Sequence, residues 1–134
     1  MVRKDSGLRT TEDIDRTNNR IVVGLGSAYD LFLSRHIQKA ELVRAASTQE
    51  VMPVLWAEGC EVAAGLQHAM SEEVKQHPPL QVLSPPFMAI AQAMGCHPSH
   101  SDEVKAELQD FLVKQRPEIA ASIARQGLGG MRTA

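Results

Sequence analysis

A chain of 134 residues is long enough to bury one sizeable core and short for two. With 43% hydrophobic and 22% charged residues it has the composition of a globular domain rather than of a disordered or fibrous chain. A net charge of -2 and a pI near 6.2 supply no broad positive field, which excludes nucleic acid and anionic membrane surfaces as expected partners.

The apolar runs are broken by Glu and Gly and fall short of the ~20 residues that a membrane helix needs. Two cysteines, Cys60 and Cys96, and a start of Met-Val-Arg-Lys-Asp-Ser-Gly without an apolar leader read as a reduced, cytoplasmic protein.

In chain order, residues 1–9 are expected to be a flexible arm, because nothing periodic ties them to a core. Thr10 or Thr11 ahead of Glu12 and Asp13 marks a first helix start, with acids suited to the positive end of the dipole. The run Ile21-Val22-Val23-Gly24-Leu25-Gly26-Ser27 invites a dinucleotide-binding turn. That reading is set aside: the third glycine would fall on Tyr29, and the chain downstream shows no alternating strands. Gly24 and Ala28 are read instead as positions of close helix packing, and no cofactor is expected.

On a 3.6-residue period Leu25, Ala28, Tyr29, Phe32, His36 and Val43 share one side of a helix, with Asp30, Ser34, Gln38 and Glu41 opposite. Ser47-Thr48-Gln49-Glu50 has capping-box spacing and starts a second helix reaching Glu73, with Met52, Leu55, Trp56, Gly59, Val62, Ala63, Leu66 and Met70 on its apolar face. Glu58, Glu61, His68 and Glu72 line the reverse, a solvated stripe. Four prolines make residues 76–86 a connector. A short helix over Phe87–Met94 is expected to stop at Gly95, followed by a helix from Asp102 to about Gln115, a last one from Pro117, and a loose tail over 127–134.

Cys96, His97 and His100 put three possible metal ligands within five residues, but no fourth ligand stands at zinc spacing, so no metal is expected. Ala91-x-x-x-Gly95 resembles the turn of a helix-turn-helix. The helix that would follow carries Asp102, Glu103, Glu107 and Asp110, which oppose phosphate.

The run from Tyr29 to Gly59 resembles the alkylhydroperoxidase D and carboxymuconolactone decarboxylase family over roughly residues 10–73. His36 falls on the family histidine, Ala40 on the small residue four later, and Glu50-Val51 on the next helix start. The two family cysteines fall on Tyr29 and Phe32, so the redox pair is absent. The family's acid falls near Thr17, with Asp15 the nearest carboxylate, and Arg44 stands where glycine is usual. The resemblance implies an all-α, single-domain orthogonal bundle of about five or six helices over residues 10–126, self-associating into a homo-oligomer.

Two functions follow as expectations. In one, the protein is a cofactorless acid/base enzyme in which His36, assisted by Tyr29, moves a proton on a small carbonyl or lactone-like substrate. In the other, it is a non-catalytic oligomeric accessory or regulatory module that binds a protein partner.

Overall fold

The apolar run Ile21-Val22-Val23 lies in a strand, and the rest of the architecture follows from its position. In the computed structural model, which describes residues 1–91 and 93–125, the strands are β1 (Val2–Arg3), β2 (Arg20–Gly24), β3 (Glu41–Ala45), β4 (Val62–Ala63) and β5 (Leu80–Gln81). The helices are α1 (Ala28–His36), α2 (Val51–Glu58), α3 (Gln67–Gln76) and α4 (Asp102–Arg125). The strands form one mixed sheet in the order β3-β2-β4-β1-β5. β2 runs parallel to β3 and β4, while β1 is antiparallel to β4 and β5. The expected all-α helix bundle of the alkylhydroperoxidase D type is therefore corrected: the fold is α/β.

Successive residues of a strand point to opposite faces, and β2 is covered on both. Ile21 and Val23 pack with Val62, Tyr29 and Leu33 in one cluster, whereas Val22 packs with Ala63, Val51, Leu55 and Met70 in the other. α1 thus lies on one face, and α2 and α3 lie on the other. A strand buried on both sides reads as an unbroken apolar run, which is why the period-2 alternation of a half-buried strand is missing from Ile21–Val23.

The single long helix pair expected between Ile21 and Glu73 is cut in two places. Ser27 caps α1 by accepting the Asp30 N–H at 3.2 Å, and α1 ends at His36. Asp15 then receives the N–H groups of Gln38, Lys39 and Ala40 and turns the chain into β3. Gly59, in the left-handed region at φ 63°, stops α2 and frees Val62 and Ala63 to join the sheet. Residues 1–9, expected as an arm, instead supply β1, and Val2 and Leu8 are buried.

The chain divides into two compact units, residues 1–90 and 91–134. The sheet and its helices form the first. The short helix expected over Phe87–Met94 is absent among the described residues, and in the second unit α4 runs unbroken through Pro117 where two helices were expected. The tail expected over 127–134 lies outside the described residues. No described helix is long and apolar enough to cross a membrane.

Candidate functional site at the carboxyl edge of the sheet

The three parallel strands point the same way, so the turns that follow them gather at one edge. After β2 the chain turns through Gly24–Ser27 into α1, after β3 through residues 46–50 into α2, and after β4 through residues 64–66 into α3. The connection leaving β2 goes to β3 on one side, and the connection leaving β4 goes through α3 to β5 on the other. Turns that diverge in this way mark the switch point of the sheet, the edge at which α/β folds characteristically form a ligand-binding crevice.

Backbone bonds hold this edge together. Leu25 N–H donates to Ala45 O at 2.9 Å and Ala64 N–H donates to Val22 O at 2.9 Å, which ties the turn after β2 to β3 and the end of β4 to β2. A Cβ built on Gly24 would lie 2.9 Å from Thr48 Cα and N, so only glycine lets the β3–α2 loop approach this closely. Gly26 has φ 72°, a conformation that L side chains seldom adopt.

Two helix N-termini flank the crevice. In α1 Ser27 occupies the cap and satisfies Asp30 N–H, which leaves the first two helical N–H groups, at Ala28 and Tyr29, without an intrahelical partner. In α3 the cap residue is Leu66 and no side chain caps the helix. The partial positive charge of both ends is directed at the same edge.

Under the first turn lies a polar cluster. Asp30 is the one buried polar or charged residue among the described side chains, at 3% exposure. Its Oδ2 accepts the Gly26 N–H at 2.9 Å, and its Oδ1 accepts from Arg44 Nε at 3.1 Å and Ser34 Oγ at 3.2 Å. Arg44 also donates to Ser34 Oγ at 2.8 Å. The helical period puts Asp30 and Ser34 on a solvated face; Ser34 is indeed exposed, but Asp30 is buried, and the period gives no hint of this cluster. The signal was Ser27-x-x-Asp30, a serine cap with an acid three residues later at a helix start.

The two residues proposed from sequence stand in different settings: Tyr29 is in the first turn of α1 with its ring turned into the core, and His36 is at the other end of the helix. Tyr29 is buried in the core with Leu33 and Ile21. His36, at the last turn of α1, is exposed; its ring stacks on Phe32 at 3.9 Å and its Nδ1 lies 2.7 Å from Phe32 O. Neither lines the described cavities, a cleft of about 60 Å³ beside Trp56 and Cys60 and an open one of about 370 Å³ around Asn18, Lys39 and Glu41.

The stripe read as Glu58, Glu61, His68 and Glu72 does not share one face, since Glu61 precedes β4 and accepts the Arg20 N–H at 2.7 Å. Burial pushes the Cys60 thiol above its ordinary value, while Cys96 is exposed. Among the described residues no group of three or more His, Cys, Asp or Glu side chains is placed to hold a metal. Compared with known proteins, the chain matches no family model and no curated protein.

Proposed function

We propose that this protein is a non-catalytic small-molecule binding module that holds a small polar ligand bearing a carboxylate or phosphate at the carboxyl edge of its sheet. The observation that carries this reading is the pair of helix N-termini, of α1 and α3, on adjacent strands at the point where the connections diverge. Backbone N–H groups and helix dipoles directed at one crevice suit an anionic group and supply no nucleophile or base. Gly26, exposed and with nothing within 4 Å of where a Cβ would stand, leaves the backbone open to close approach.

The earlier acid/base reading centred on His36 has less support. It came with an all-helical fold that this chain does not have, and His36 is exposed with its ring stacked on Phe32.

The test is a pair of NMR titrations of the ¹⁵N-labelled chain, one with succinate and one with inorganic phosphate. The expected result is saturable shifts of the amides at Gly26, Ser27, Ala28 and residues 65–67 with at least one probe. Shifts absent at these positions with both, or largest around His36, would overturn the reading.

A further inference from the structure

Asp30 is a charged side chain that neither terminates an element nor faces solvent, and the binding reading above does not use it. Its carboxylate is 3% exposed and receives three donors from three segments: the Gly26 backbone, Ser34 of α1 and Arg44 of β3. Arg44 lies two residues before the loop of residues 46–50, and Thr48 of that loop sits against Gly24. One ion pair therefore connects the turn after β2 to the strand that feeds the turn after β3.

We infer that Asp30 and Arg44 are positioning residues, a clamp that fixes the Gly24–Ser27 turn so that its open N–H groups face the crevice; this rests on the binding reading above. Gly26 N–H shows why a clamp is needed. The residue is exposed and its left-handed φ is open to many alternatives, so without Asp30 Oδ2 nothing else described holds that amide in place. Ser34 completes the device: it donates to Asp30 and accepts from Arg44, so the guanidinium cannot swing away without breaking both contacts. A carboxylate alone at this depth would be costly, and the arginine offsets that cost while itself staying half in solvent.

The experiment uses the whole chain with Arg44→Met, Ser34→Ala and Asp30→Asn, reading amide hydrogen exchange by NMR and succinate affinity in parallel. Hydrogen bonds to a charged acceptor give roughly tenfold or greater protection. Exchange at Gly26 should therefore rise about that much in Arg44→Met and Asp30→Asn, and less in Ser34→Ala, while Val22 and Val23 in β2 keep their wild-type rates. Succinate should weaken in the same order.

A uniform rise across the sheet, marking a merely structural role, overturns the clamp, and so does an unchanged Gly26 rate. Ser34→Ala removes no charge and keeps the test usable if the other two variants fold poorly. Wild-type protein that binds neither succinate nor phosphate defeats the binding reading, whereas the exchange rates judge the clamp without any ligand.

Discussion

Replacing Gly24 with alanine probes how closely the turns of the carboxyl edge are packed. The new methyl would sit 2.9 Å from Thr48 Cα, N and Cγ2. Carbon atoms in good contact stand about 3.5–4.0 Å apart, so each contact is too short by about 0.6 Å or more, and two of the three opposing atoms belong to the backbone. The β3–α2 loop must then lift from β2. Overpacking of this kind costs roughly 1–3 kcal/mol, and the lower unfolded-state entropy of alanine returns roughly 0.4–1 kcal/mol.

The expected net loss is therefore about 1–2 kcal/mol for Gly24→Ala. With a urea slope of about 1–3 kcal/mol/M, the unfolding midpoint should fall by roughly 0.3–2 M. Fluorescence of Trp56, the single tryptophan, follows the unit that contains the sheet. Adding Thr48→Ala should recover little, because the contacts to Thr48 N and Cα remain. A midpoint equal to or above that of the wild type would refute the close approach of the two turns.

Other outcomes follow from the same packing. Leu33 is 2% exposed in the core, so Leu33→Ala should cost about 2–5 kcal/mol in thermal or urea melts; a loss below about 0.5 kcal/mol would contradict its burial. The N–H groups of Ala40, Lys39 and Gln38 hold the Asp15 carboxyl below its ordinary value. Because the folded value lies below the unfolded one, Asp15 contributes stability above the unfolded carboxylate range, and that contribution fades as pH drops through the folded value. Asp15→Asn should flatten the acid limb of the stability profile below about pH 4, and an unchanged limb would count against these bonds. In native protein a thiol reagent should modify exposed Cys96 at once and buried Cys60 only after urea is added; two equally fast thiols would contradict the burial of Cys60.

The parts of the fold legible in the sequence were those long enough to show a period. α1 is recognisable from Tyr29 and Phe32 against Asp30 and Ser34, whereas the capping box expected at Ser47 does not form: α2 starts three residues later, at Val51, with Glu50 at the cap and no side-chain capping bond. The strands were not. β1, β4 and β5 have two residues each, too short for any periodicity, and β3 carries only Leu42 and Val43 as large apolar residues. Ile21-Val22-Val23 has the composition of a doubly buried strand. It is set aside because the third glycine falls on Tyr29 and no strands are recognisable downstream, where Glu41 and Val43 fit opposite faces of one helix and Val62-Ala63 the apolar face of another.

With β3 and β4 both read as helix, the parallel sheet is lost, and with it the main reason to keep the glycine turn as a candidate site. A strand, a glycine turn and a helix do stand in order there, although no third glycine follows at Tyr29. The Asp30–Arg44 pair was hidden for a different reason. It joins a helix to a strand 14 residues away, and no local pattern encodes such a contact.

The most direct test removes the open N–H groups themselves. Proline is tolerated at the first helical position, where its missing N–H is not part of the helix ladder. The residue ahead must be extended, as Ser27 is at φ -67°, ψ 159° and Leu66 at φ -65°, ψ 134°. Ala28→Pro and Gln67→Pro should therefore leave the melting temperature nearly unchanged while weakening binding of succinate or phosphate roughly tenfold each, the loss expected for a hydrogen bond to a charged group. Wild-type affinity in both variants, with the fold intact, would contradict a ligand site between the two helix N-termini.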